Sequence, residues 1–450
     1  MSSLQITVNQ TMLNLIAAKQ EDVMIETRGP VSTWEDRGVE RSGTLPHDWY
    51  TSKDLFDLEL KTLFRDVWTC VGRTDQVEHP GQYFTASVAH EEIVVCRDGE
   101  GILRALSNVC LHRGGPVAIG TGTRKAFQCP YHGWMFELDG RMRNARGMDG
   151  TEDFDTDQLR LPEFRVGIWG PSVWVTLSDV APPLEEWLGD ITPRLTNYHV
   201  DELQFVGGRR WEVDCNWKLY VDNFMEGYHI PFIHPGLTQS LSPSVYTYKL
   251  GKYTNEQYGA EPHPRGPGSR IAGILGSTQD LRRIKPPIEG LDEKERVGYY
   301  FHWVFPLTTI NFMPDGLLIF QISPLGPERS ESRVMWWFPP AKSFQDKLLQ
   351  AALINFGHLI NTEDYEICEH AQRGMRSNVY HQGRYAATQE ICLHHFHQLL
   401  TDYMQPHFEQ WDAERAVPHA HGNGNGNGNG HSKAQAQAAI ATATQEGANT

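Results

Sequence analysis

The chain lacks any run approaching the roughly 20 apolar residues that span a bilayer, so no transmembrane helix is predicted. Its N-terminus has no basic segment followed by an apolar one. Acids come early, at Glu21 and Asp22, and no arginine precedes Arg28. Neither a secretory signal nor an organelle transit peptide is therefore expected. Positive charge is in deficit: 40 Lys and Arg against 56 Asp and Glu give a formal charge of −16. Nucleic acid and anionic membrane are thus poor main partners. Cysteine is sparse and odd in number, with 7 in 450 residues. Cys70, Cys96, Cys110, Cys129, Cys215, Cys368 and Cys392 are scattered, which is no disulfide framework. A reducing cytoplasm is the expected compartment. No period of about 20 to 50 residues repeats, which excludes a solenoid.

What is present is material for two or three domains and, with 40% apolar residues, a sizeable core. Residues 1–45 read as an N-terminal extension that packs on a partner subunit, its apolar stretch being Met12, Leu13, Leu15 and Ile16. Residues 416–450 repeat Gly-Asn and then Ala, Gln and Thr, and read as a disordered tail. His419, His421 and His431 in it offer no more than adventitious metal binding. Residues 46–170 open with a helix over DLFDLELKTLFRDVW. The β-type runs QYFTASV, EEIVVCRD and ILRALSNVC follow, with Asp98-Gly99 as a hairpin turn. Residues 171–415 carry a helix from the N-cap Asn216 to about His229, stopped by Pro231. The runs GYYFHWVF, TTINFM, GLLIFQIS and SRVMWWF read as antiparallel strands. A long helix ends near Gly374, and a final one spans about Thr388 to Met404. The fold class is α+β: a small β domain followed by a sheet with long helices on it.

The most specific motif is CLHRGGPVAIGTGTRKAFQCPYHGW. Cys110 and His112 are two apart, and Cys129 and His132 three apart. Two sulfur and two nitrogen donors on Gly- and Pro-bearing loops suit zinc or an iron–sulfur cluster. Gly114, Gly115, Pro130 and Gly133 permit tight loops whose amides point at bridging sulfides. A Rieske [2Fe–2S] centre fits best, with two cysteines on one iron and two histidines on the other. A zinc knuckle usually pairs Cys with Cys and His with His.

The second motif is NWKLYVDNFMEGYHIPFIHPG, residues 216–236. Glu226 and His229 share a helix face, and His234 can fold back beyond Pro231. Two imidazoles and one carboxylate, with open positions, make a non-haem iron(II) oxygenase site. The carboxylate must come from INTEDYEICEHAQRGM, where Asp364 lies near the centre of an apolar stripe and Glu363 competes from further off it. A carboxylate on a buried stripe needs a partner, and a metal supplies one.

Over roughly residues 44–410 the chain resembles the oxygenase α component of the Rieske non-haem iron oxygenases. The resemblance rests on the Cys110/His112/Cys129/His132 pattern, the NWK…DN…E.YH….H segment and the ED…CE..QRG segment. It implies a Rieske domain and a helix-grip catalytic domain of the star-related lipid-transfer type. It implies that Asp364 completes an iron triad with His229 and His234. It implies a homotrimer in which Glu226 bridges His229 and the neighbouring subunit's His132, and it makes Asn223 a residue that approaches the iron. Asn216, Trp217, Lys218, Asp222 and Tyr228 are then scaffold. Electrons are expected from a separate NAD(P)H-dependent reductase, with or without a ferredoxin. GTGTRK, residues 120–125, is no phosphate-cradling fingerprint: it lacks the final glycine and a following helix pattern.

The segments EDYEICEHAQRGM and GRYAATQEICLHHFH are similar to the quaternary-ammonium branch, which includes choline, carnitine and glycine-betaine monooxygenases. Glu226 at the bridging position agrees with it, whereas the apolar HIPFIHPG departs from it. The expected reaction is hydroxylation or demethylation of a small quaternary ammonium compound with O2. Tyr299, Phe301, Trp303 and Phe305 would offer a cation–π cage, with Trp336 and Trp337 downstream. An aromatic-ring-hydroxylating dioxygenase is the alternative. A Rieske electron carrier without catalytic iron is the alternative of another class.

Overall fold

The computed structural model describes residues 27–235, 237, 241, 246–260 and 287–416. The expected disordered tail, its three histidines and the Met12–Ile16 stretch lie outside them. Two compact units divide at Gln410 and Trp411. All the elements below belong to the first, apart from the last residues of its final helix.

The first seven-stranded sheet comprises β1 (Thr69–Arg73), β2 (Gln82–Val88), β3 (Glu91–Arg97), β4 (Leu103–Ser107), β5 (Thr121–Thr123), β6 (Glu163–Trp169) and β7 (Ser172–Thr176). Their order is β1-β7-β6-β4-β3-β2-β5. Strand β7 pairs with both β6 and β1, so this sheet extends past residue 170. A three-stranded sheet of Phe127–Gln128, Met135–Phe136 and Met142–Asn144 stands beside it. The runs alternate β-branched and aromatic side chains, which suits a pleated, half-buried surface. Val94, Cys96 and Leu106 of the larger sheet and Phe127 and Phe136 of the smaller bury into one cluster with Cys110 and Cys129.

The second seven-stranded sheet is antiparallel throughout. It comprises β8 (Gln204–Val213), β9 (Thr247–Leu250), β10 (Thr254–Ala260), β11 (Gly298–Val304), β12 (Thr308–Met313), β13 (Gly316–Gly326) and β14 (Arg329–Phe338), in the order β8-β14-β13-β12-β11-β10-β9. Its four apolar strands were legible from sequence. The more polar β8, β9 and β10 were not.

The helices that place the site are α1 (Lys53–Lys61), α2 (Trp217–Phe224), α3 (Phe344–Met375) and α4 (Ile391–Ala416). The expected opening helix is interrupted: α1 stops at Lys61, and a second turn follows over Leu63–Asp66. Helix α2 also stops short of the expected His229. Pro231 does not end it; it sits in the first turn of a new short helix, Ile230–Ile233. A proline is tolerated there because first-turn N–H groups have no intrahelical acceptor. Residues 225–229 form the turn that links the two helices.

Residues 27–45 pack on this same chain. Val31 and Leu45 are buried in the main core, Gly43 bridges Arg384, and the His394 Nε2 lies 3.0 Å from Asp36 Oδ1. The Met12–Ile16 stretch, on which the expectation of packing on a partner rests, lies outside the described residues. Among the described residues no helix is long and apolar enough to cross a membrane.

Candidate metal centres

Cys110 and Cys129 each begin the same backbone knuckle. The Cys110 carbonyl accepts from Gly114 N at 3.0 Å, and Cys110 N donates to Gly115 O at 2.7 Å. The Cys129 carbonyl accepts from Gly133 N at 3.0 Å, and Cys129 N donates to Trp134 O at 2.9 Å. Gly114 and Gly133 have φ of 71° and 79°, a region that only glycine occupies without strain. A Cβ at Gly115 would come within 3.1 Å of Cys129 Sγ. The glycines in the motif are therefore requirements of the two loops.

The knuckles bring like donors together. His112 Nδ1 and His132 Nδ1 lie 3.1 Å apart. The His112 ring stacks on Trp134, with centroids 4.8 Å apart. Burial pushes the Cys110 thiol above its ordinary pKa. The His112 N–H aimed at the sulfur opposes the rise, and the neighbouring Cys129 thiol adds to it. Both cysteines are buried, while His132 is exposed. Among the described residues, only one group of three or more His, Cys, Asp or Glu has ligand atoms all within 4.8 Å of one another, and these four are not it. Two thiols and two imidazoles thus form separate pairs rather than one tetrahedral set. Like donors paired in this way fit a two-iron cluster.

The group that does converge is His229, His234 and Asp364. Asp364 Oδ1 is 2.9 Å from His234 Nε2 and 3.6 Å from His229 Nε2. That oxygen is buried without a well-formed hydrogen bond, as expected of a position made for a cation. Burial opposes protonation of His234. Asp364 and then Glu363 outweigh it and raise the pKa. The donors are two imidazole nitrogens and one carboxylate, the set suited to iron(II) with open positions.

Each imidazole is held on its other edge by a glutamate. Glu226 Oε1 lies 2.6 Å from His229 Nδ1. Its Oε2 accepts from the N–H groups of Tyr228 and His229. Glu226 therefore reaches His229 from a turn, not along a helix face as expected. Glu363 Oε2 lies 2.8 Å from His234 Nδ1. From sequence alone Glu363 is a rival ligand, and the geometry removes it from the converging group. Its adjacency to Asp364 was the available signal. The side chain of Asn223 makes no hydrogen bond to a described residue; it is half-buried in the last turn of α2.

Four further residues of the second motif tie α2 to the structure around it. Asn216 caps α2 through Lys218 N at 2.9 Å, and its own N–H donates to Gln372 Oε1 at 2.8 Å. Trp217 Nε1 and Lys218 Nζ both donate to Glu59 of α1, at 3.0 and 2.7 Å. Asp222 accepts from Tyr50 Oη at 2.7 Å and lies 3.1 Å from His397 Nε2.

The expected aromatic face divides. Tyr299 and Phe301 stack at 5.9 Å and join Ile230, Leu241, Leu237, Tyr246 and Met313 in a small cluster beside the His229 turn. Trp303 packs on Phe305 and Phe396 in the main core. Trp336 lies under Leu349 and Leu353 of α3, and Trp337 beside Phe205. These last four are core residues, because the sheet buries both faces.

Comparison with known proteins decides the family. Residues 67–160 match the Rieske [2Fe-2S] domain, and residues 200–406 match the ring-hydroxylating α subunit (catalytic domain). Choline monooxygenase of Arabidopsis thaliana is 30% identical over 80% of this chain and 83% of its own length. The chain belongs to the Rieske oxygenase α subunits. The carnitine monooxygenase oxygenase subunit of Acinetobacter baumannii is 28% identical over 80% of the chain and 95% of its own. The quaternary ammonium Rieske monooxygenase CntA, solved with L-carnitine, superposes with a TM-score of 0.68 at 26% identity, over 81% of this chain and 96% of its own. Naphthalene 1,2-dioxygenase with bound indole shares the fold, with a TM-score of 0.67 at 20% identity over 84% and 96%. This Rieske oxygenase is an oxidoreductase whose cofactors are a [2Fe–2S] cluster and a mononuclear iron.

Proposed function

We propose that this oxygenase hydroxylates or demethylates a small quaternary ammonium compound. In this reading Cys110, His112, Cys129 and His132 hold the cluster, and His229, His234 and Asp364 hold the single iron. The observation that carries it is the convergence of two imidazole Nε2 atoms on one buried carboxylate oxygen in a chain that also bears the two Cys/His knuckles. When bound, the two iron centres supply electron storage and oxygen activation. The chain's own residues do the rest. Glu226 keeps a proton on the Nδ1 edge of His229, so that its Nε2 faces inward.

The substrate class is supported by the relatives' names and by Tyr299 and Phe301. Aromatic faces beside the iron site attract a cation that cannot donate a hydrogen bond. No nucleotide fingerprint occurs in the sequence, so the reading includes a separate NAD(P)H-dependent reductase. Seven buried, unpaired cysteines accord with a reducing compartment.

Assembly as a homotrimer is supported by exposed apolar groups around each centre. Leu111, Ile119 and Tyr131, all within the segment that bears the two Cys/His pairs, are 41, 69 and 57% exposed, and the Tyr131 ring lies against His132. Tyr228 and Phe232 flank His229 with 47 and 77% exposed. Exposed apolar surface of this kind marks a contact, and a second copy brings Glu226 toward the neighbour's His132.

A single turnover tests the reading. Pre-reduced, iron-replete protein meets oxygen with methylated ammonium compounds in one pool and aromatic acids or hydrocarbons in another. Formaldehyde or a singly hydroxylated ammonium product is expected by mass spectrometry. A cis-diol or phenol instead would overturn the substrate class.

A further inference from the structure

We infer that Glu363 is a positioning residue for the iron site: its carboxylate fixes the proton on His234 Nδ1 and so turns Nε2 toward Asp364. The inference rests on reading His229, His234 and Asp364 as ligands.

Glu363 and Asp364 are consecutive on α3, and consecutive helical side chains diverge by about 100°. The two carboxylates nevertheless meet the same imidazole, because they take opposite edges of it. Asp364 Oδ1 is 2.9 Å from Nε2, and Glu363 Oε2 is 2.8 Å from Nδ1. One step of one helix thus grips the ring from two sides. A neutral imidazole carries its proton on one nitrogen and a lone pair on the other. An anionic acceptor at Nδ1 places the proton there and leaves the lone pair at Nε2. Glu363 cannot itself share an ion with Nε2, since it sits on the far side of the ring.

His234 is 1% exposed, so its orientation is set by protein contacts and not by water. His234 and Glu363 are 129 residues apart in sequence. The contact therefore ties the turn after Ile233 to α3, the helix that delivers Asp364. Glu226 holds His229 from only three residues away and also caps backbone N–H groups. The two glutamates have the same relation to their rings but different mechanical roles. The Glu363 side chain is 39% exposed, so truncating it opens no buried cavity and a folding defect is not expected.

The test uses the full chain with its cluster intact. Glu363→Ala, Glu363→Gln and Asp364→Ala are stripped of mononuclear iron and dialysed anaerobically against Fe(II), with nitric oxide as an EPR probe of the site. Glu363→Ala is expected to weaken Fe(II) binding about 10–100-fold and to alter the nitrosyl spectrum. Glu363→Gln, whose amide oxygen still accepts from Nδ1–H, is expected to recover most of the affinity and the native spectrum. Wild-type affinity and spectrum in Glu363→Ala would overturn the inference, as would a glutamine variant no better than alanine. Asp364→Ala separates the two claims. Undiminished Fe(II) binding in that variant would sink the ligand assignment itself, whatever Glu363 does.

Discussion

Glu226 Oε1 lies 2.6 Å from His229 Nδ1, and the same carboxylate caps the N–H groups that open the helix at Ile230. One side chain thus fixes both the ring and the backbone that carries it. Replacing it by glutamine keeps the shape and most acceptors but removes the charge. Glu226→Gln is expected to retain both metal centres and to slow cluster reoxidation about 10–100-fold. Stopped-flow absorbance of the pre-reduced cluster, mixed with oxygen and substrate, reads this directly. Reoxidation at the wild-type rate would exclude the bridging role.

The Lys218–Glu59 pair is a buried ion pair at 2.7 Å, with side chains 1% and 0% exposed. Burial pulls the Lys218 pKa down, and Glu59 only partly opposes this. Glu59→Ala would strand the ammonium in the core and free Trp217 Nε1. It is expected to cost about 3–5 kcal/mol in urea unfolding. The double replacement Glu59→Leu with Lys218→Met should recover much of that loss. Glu59→Ala unfolding at the wild-type midpoint would show that the pair is not a structural tie.

His395 is half-buried, and its Nδ1 donates to Asn255 Oδ1 at 2.6 Å. Burial, with His394 beside it, pulls its pKa down to about 4. The unfolded chain takes up that proton near pH 6.5. Between those values the unfolded state binds more protons, so stability falls on acidification through this window. The loss should begin below about pH 6.5 and level off near pH 4, approaching about 3 kcal/mol. His302, fully buried, has its pKa lowered in the same direction. Denaturant midpoints at pH 7 and pH 4.5, in wild type and His395→Gln, measure it. Equal pH sensitivity in both would remove His395 as a source.

Phe301 stacks with Tyr299 and lies 6.4 Å from the Phe224 ring of α2. Phe301→Leu keeps the apolar volume and removes the π face. A desolvated cation–π contact is worth about 2 kcal/mol, so KM for a quaternary ammonium substrate should rise about 30-fold. The value for an uncharged isostere should stay nearly constant. An equal rise for both would make Phe301 a wall without cation preference. Trp303→Leu, in the core, should lower stability without this selectivity.

The sequence by itself determined the spacing of the two Cys/His pairs and of His229 and His234. Two Cys/His pairs at fixed spacing, with glycines at Gly114, Gly115 and Gly133, are local requirements of tight loops. Local requirements are visible in a linear string. The strands from Gly298 to Phe338 were legible for a related reason, since each carries its own β-type pattern. The polar strands β8 to β10 were not, because neighbours stabilise them more than their own residues do.

The tertiary structure decided what depends on contacts between distant segments. Periodicity left Asp364 and Glu363 as rivals. Only the fold shows that both meet His234, one at Nε2 and one at Nδ1. It also separates Tyr299 and Phe301 from Trp303 and Phe305, which the strand pattern places on one face. A strand's alternation tells which side chains share a face. What covers that face is set by helices that lie far away in sequence.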